Sequence, residues 1–180
     1  DLVQGLRDNL PETVIITGGL AGDGHKFIKT LVGLNEIPIE GRIVAIGFYG
    51  DHLNIGYGSV GGWDSYGPER LITKSDKNVL YELDGKVALD IYKMYLGEYA
   101  GELPASGLFF PLSFRSVESG ERIVRTILGI NEAEKSLTFA GNMPEGAFAR
   151  LMMANFDRLI EGSAVAAQHC ISKNTCKPQL

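Results

Sequence analysis

Cysteine and histidine are scarce in this chain, two and three among 180 residues. Cys170, Cys176 and His169 stand together near the C-terminus, three soft donors where a tetrahedral zinc site needs four. A Cys170–Cys176 disulfide would close only a small loop, and two ordinary thiols in a reducing compartment are the simpler reading. No apolar run approaches the ~18 residues that cross a bilayer, so no membrane segment is expected. Basic residues are not in excess: 17 Lys and Arg against 22 Asp and Glu give a net charge of −5. That argues against a dedicated nucleic-acid binder, which usually carries a basic face. The opening Asp1-Leu2-Val3-Gln4 lacks the charged-then-apolar pattern of a signal peptide and has no initiator Met, as expected of a fragment.

Catalytic and nucleotide signatures are also missing. Gly19 to Gly24 has the span of a phosphate-binding loop, but His25-Lys26 follows it instead of Lys-Ser/Thr. The dinucleotide pattern fails as well, because Gly22-Asp23-Gly24 runs into His25, Lys26 and Phe27. Neither Ser59 nor Ser106 sits in Gly-x-Ser-x-Gly, and the three histidines are scattered. The chain therefore reads as non-enzymatic.

What is present is a globular composition, 44% hydrophobic and 22% charged. Strand-like runs are Thr13–Thr17, Lys26–Leu34, Ile43–Tyr49, Leu53–Val60, Arg70–Thr73, Val79–Leu83, Leu108–Phe114, Arg122–Ile130 and Ser136–Ala140. Ile43–Tyr49 and Leu53–Val60 look like a hairpin, and Gly61–Pro68 like an irregular loop. Helical spacing follows an expected N-cap at Asp84, with Val87, Ala88, Ile91, Tyr92, Tyr95 and Leu96, and Gly97 stops it. A second helical region is expected over Leu151–Ile160 and Ala164–Ile171, with a kink or cap at Gly162. Hairpin-spaced strands with few helices between them predict an α+β fold of largely antiparallel or mixed sheets, with a few packing helices and a C-terminal helical region.

Arg70, Arg115, Arg122 and Arg125 carry the chemical interest. Arg125 lies between Val124 and Thr126, and alternation places it on one face with Ile123 and Ile127. A guanidinium among apolar side chains needs a carboxylate partner or an anionic ligand. A salt bridge to Asp64, Asp84 or Glu145 is the more ordinary of the two.

The order of segments resembles the FIST sensory domain family. The resemblance rests on Gly18-Gly19-Leu20-Ala21-Gly22-Asp23-Gly24, Phe48-Tyr49-Gly50-Asp51, Gly61-Gly62-Trp63 and Asn78 to Gly85. It continues through Tyr95-Leu96-Gly97, Leu103-Pro104, Phe110-Pro111-Leu112, Val124 to Gly129 and Phe139 to Gly146. It implies the end of an N-terminal module over 1–83, truncated at its start, and a C-terminal module over 84–180 without its last strand. It further implies a bacterial, cytoplasmic ligand-sensing domain. The partner would be a histidine kinase or a diguanylate cyclase/phosphodiesterase.

Two sensing chemistries follow from that resemblance. In one, a small polar metabolite is bound by Asp23, Trp63, Arg70, Thr73 and Arg125, the Trp forming an aromatic wall and an Arg taking a carboxylate. In the other, implied by one subgroup of the family, haem senses nitric oxide, with His52 and then His25 as candidates for the iron ligand and His169 behind them. A non-catalytic protein-interaction module is the alternative from another class. Exposed sheet edges in a truncated chain also favour association into a homo-oligomer.

Overall fold

The structure, a computed structural model, describes residues 2–24, 26, 28–115, 120 and 122–172. They fall into two units, Gly61–Ile160 and a second made of Asp1–Val60 with Glu161–Leu180.

Gly61–Ile160 is built on a sheet whose pairings are all antiparallel. Its strands are β1 (Trp63–Asp76), β2 (Val79–Leu83), β3 (Lys86–Val87), β4 (Leu112–Arg115), β5 (Arg122–Arg125), β6 (Ile127–Asn131), β7 (Ser136–Phe139) and β8 (Phe148–Ala154). The order is β5-β4-β8-β1-β2-β7-β6, with β3 attached to β2. β5 and β6 are separated in the chain by Thr126 alone, yet they lie at opposite ends of this path. A flat seven-strand sheet would part its edges by roughly 29 Å at 4.8 Å per gap. One residue spans about 3.5 Å. The sheet must therefore curl until its ends meet.

The concave side holds the core. Leu80, Leu89, Ile127, Leu137 and Phe139 are fully enclosed there. Each contributes roughly 1.5–3 kcal/mol through burial. The helix α2 (Ala88–Leu96) packs against this cluster through Ala88, Leu89, Ile91, Tyr92 and Leu96, a stripe at helical spacing. It ends at Gly97, whose φ of +57° an L side chain rarely adopts. Two 3-10 turns follow, Gly97–Glu102 and Ala105–Leu108, around a cis Leu103–Pro104 bond.

The α+β class and the antiparallel pairing agree with the sequence reading, but several elements differ. Gly61–Pro68 is mostly strand, the first half of β1, because it pairs with β8 from Trp63 onward. Leu151–Ala154 is strand, not helix. β8 lies between β1 and β4, and a central strand that buries Ala149, Leu151 and Met152 loses a clean two-residue alternation. Arg122–Ile130 is two strands divided at Thr126. Asp84 is not an N-cap: Asp84-Gly85, at φ +53° and +70°, forms the two-residue turn between β2 and β3.

In the other unit, α1 (Leu2–Asn9) precedes Pro11. Between Leu10 and Val60 the described residues form no strand beyond one isolated bridge, Val32 to Ile39. Of the four runs expected as strands there, Lys26–Leu34 makes that single bridge through Val32, and the described residues of the other three form no strand. Their side chains are also uncovered, Ile46 at 70% and Tyr49 at 94% exposure. Apolar β-branched composition makes a strand only where a partner completes its hydrogen bonds. The helix α3 (Phe156–Ser172) continues through Gly162 without a break, and Ala164–Ile171 is helical as expected.

Candidate functional site

Arg70 stands on β1 and is held on three sides. Its Nη1 donates to Asp84 Oδ2 at 2.8 Å and its Nη2 to Tyr95 Oη at 2.8 Å, while the guanidinium carbon lies 5.5 Å from the Tyr95 ring centroid. Asp84 Oδ1 accepts the Leu71 N–H at 2.8 Å. That backbone bond, with the Arg70 guanidinium behind it, holds the Asp84 carboxyl below the usual carboxylate range. The hydrogen bonds to Tyr95 and Asp84 push the Arg70 pKa up. Arg70 borders a cavity of about 20 Å³ with Tyr66, Tyr92, Tyr95 and Leu112. That is room for one water and not for a metabolite. Thr73 Oγ1 accepts the Gly85 N–H at 2.9 Å. Arg70 and Thr73 thus come together on one feature, the Asp84-Gly85 turn.

Trp63 opens β1 opposite Ala154 and is half-buried. Seven residues of strand separate it from Arg70, on the order of 20 Å. Asp23 lies in the other unit, where its Oδ2 accepts the N–H groups of Ile28 at 2.7 Å and Lys29 at 2.8 Å.

Arg125 differs from these. It closes β5 opposite Leu112, on the same face as Ile123, as alternation predicts. Its guanidinium carbon is 5.8 Å from the Phe114 ring centroid, and its Nε is buried with no hydrogen-bond partner. Gly141 lets it lie this close to the backbone, since a Cβ there would come within 2.6 Å of Nε. The three carboxylates expected to compete for it are engaged elsewhere. Asp64 meets Arg158 Nε at 2.8 Å and accepts Asn155 Nδ2 at 2.7 Å. Asp84 holds Arg70, and Glu145 Oε1 accepts the Ser75 N–H at 2.7 Å. Among the described residues no carboxylate neutralises Arg125.

A second arginine set, of which the sequence singles out Arg115 and Arg122 but not Arg150, occupies the convex face of β5, β4, β8 and β1. Arg122 and Arg115 are directly opposite one another, and so are Arg150 and Ser113 and, on the next strand, Glu69 and Arg150. The alternation of Arg122 with Ile123 and of Arg150 with Ala149 and Leu151 was the available signal. A helix expected from Leu151 onward obscures it.

His52 lies in an exposed turn, next to Tyr49 at 94% and Phe48 at 64% exposure. Haem requires an apolar slot around its edge as well as an axial ligand. The described residues about His52 supply no such enclosure and do not fit the group. His25 lies outside the described residues, as does Cys176. His169 and Cys170 are on α3. Among the described residues no group of three or more His, Cys, Asp and Glu is placed to hold a metal ion, and no helix is long and apolar enough to cross a membrane.

Comparison with known families gives two adjoining matches. The FIST N domain model matches residues 1–86 and the FIST C domain model residues 88–177. No curated protein and no solved structure matches the chain.

Proposed function

Because the chain belongs to the FIST family, whose members are sensory domains of signal transduction, we propose that it senses a small carboxylate-bearing metabolite and regulates a partner histidine kinase or diguanylate cyclase/phosphodiesterase in the cytoplasm. The observation that supports this is the Arg125 guanidinium, half-buried, stacked over Phe114 and, among the described residues, without a carboxylate of its own. A planar fork of N–H donors in such a place matches a ligand carboxylate in charge and geometry. Arg70 has the same chemistry but is already neutralised by Asp84, and its cavity admits no ligand. Arg125 therefore leads the five residues of the expected pocket.

A thermal-shift screen of amino acids and small carboxylates tests the reading. A ligand that raises the melting temperature of the parent protein and not of Arg125→Ala supports it. Stabilisation that survives Arg125→Ala moves the site elsewhere. The same preparation, expressed with haem precursor, gives an absorption spectrum before and after nitric oxide. A Soret band that shifts with nitric oxide would replace the metabolite reading by the gas-sensor one. A protein that no ligand stabilises, but that captures its kinase or cyclase, would be an interaction module.

A further inference from the structure

We propose that the convex face of β5, β4, β8 and β1 carries a separate binding site for a small organic dianion, with Arg115 and Arg122 as its ligand-contacting residues and Glu69 as the group the ligand displaces. The inference deepens the sensory reading by naming a ligand class at a site other than Arg125.

Its first ground is register. Arg115 and Arg122 are directly opposite partners in the β4–β5 ladder. Like charges in that relation destabilise a sheet unless something neutralises them. The Arg115 guanidinium has no ion pair or hydrogen bond among the described residues. Its second ground is weak internal compensation. One carboxylate, Glu69, serves two arginines, its Oε1 lying 3.6 Å from Arg122 Nη2 and 3.6 Å from Arg150 Nη2. Both distances exceed a hydrogen bond. Among the described residues three guanidinium groups thus face one carboxylate, an excess of two positive charges. Its third ground is shape. A groove of about 580 Å³ is lined by Glu69, Ser113, Arg115, Arg122, Gly146 and Phe148. That volume is ordinary for a small-molecule site. Ser113, fully buried at its base, lies 3.5 Å from Arg122 Nη1, and Phe148 supplies an apolar wall. Two guanidinium forks side by side suit two oxyanion groups, or one doubly charged group, better than a single carboxylate. A dicarboxylate and a phosphate monoester share this chemistry.

Titration calorimetry on the full chain at low ionic strength, with succinate and methyl phosphate as the two probes, tests it. The tighter probe identifies the source of the dianion. Arg115→Gln and Arg122→Gln are each expected to weaken it about tenfold or more. Glu69→Gln, which removes the competing carboxylate, is expected to tighten it. Arg115→Lys, which keeps the charge and loses the fork, should fall between parent and Arg115→Gln, a gradation that misfolding would not produce. The proposal is overturned if neither probe binds the parent protein, or if affinity is the same in the Arg115→Gln/Arg122→Gln double variant. A ligand that binds through Arg125 and ignores the double variant would sink the groove and keep the sensory reading. Dianion binding that never alters the partner's output would do the reverse.

Discussion

Replacing Arg125 by Met should make the protein more stable while abolishing ligand recognition at that position. The guanidinium Nε is buried and makes no hydrogen bond, and no described carboxylate offsets the charge. An unsatisfied buried donor costs about 1–3 kcal/mol. The stacking on Phe114 returns about 0.5–1 kcal/mol, and Met retains most of the packing of the arginine stem. The balance is a gain of about 1 kcal/mol. For a unit the size of Gly61–Ile160, that corresponds to a rise of roughly 4–8 °C in Tm. Trp63 is the chain's only tryptophan and lies at the β1–β8 seam, so its fluorescence in a urea titration reports unfolding of this unit. The midpoint should move upward with an unchanged slope. A Met variant as stable as the parent, or less so, would refute the claim that Arg125 is held without compensation, and with it the main support for the carboxylate reading.

Tyr92→Phe removes the hydroxyl that donates to the Phe110 carbonyl at 2.7 Å in a buried site. The loss should be about 1–2 kcal/mol in the same titration. Asp84 has its pKa lowered on folding, so its contribution to stability is complete above its unfolded value of 3.8 and fades as pH falls through the lower folded one. Melting temperatures of the parent should therefore decline below about pH 4 more steeply than those of Asp84→Asn. Gly62 is buried, and a Cβ there would lie 2.4 Å from the backbone nitrogen of Leu159, which cannot move without shifting the start of α3. Gly62→Ala should cost about 1–3 kcal/mol or more, visible as an early calorimetric transition.

Reading the sequence succeeded where local pattern and tertiary context agree. The α2 stripe, the Gly97 stop, the β6–β7 hairpin and the shared face of Ile123 and Arg125 all follow from short-range periodicity. It failed where pairing decides. Thr13–Thr17 and Ile43–Tyr49 have strand composition without a strand beside them, and β8 has helix-compatible composition with a strand on each side. The Asp84-Gly85 turn is legible as an Asp-Gly pair between apolar runs, although the helix that follows also suggests a cap at Asp84. For the site, sequence could single out Arg125 as an arginine in an apolar strand. It could not show that Asp64, Asp84 and Glu145 are all engaged elsewhere, because their partners Arg158, Arg70 and Ser75 are brought to them by the fold. Nor could it place Arg115 against Arg122, since that needs the register of a connection whose length alone does not fix it.

The position of β1 bears on how this unit is made. β1 pairs on one side with β2, a few residues away, and on the other with β8, so that Asn155 donates to Asp64 across 91 residues of chain. During synthesis the early hairpin can form as soon as it emerges, while its opposite edge waits for most of the unit to follow. Contacts of such sequence separation form slowly and leave strand edges uncovered in the interval. The seam between β1 and β8 is thus completed late in biogenesis. Until then, the nascent chain has to be kept from pairing with its neighbours.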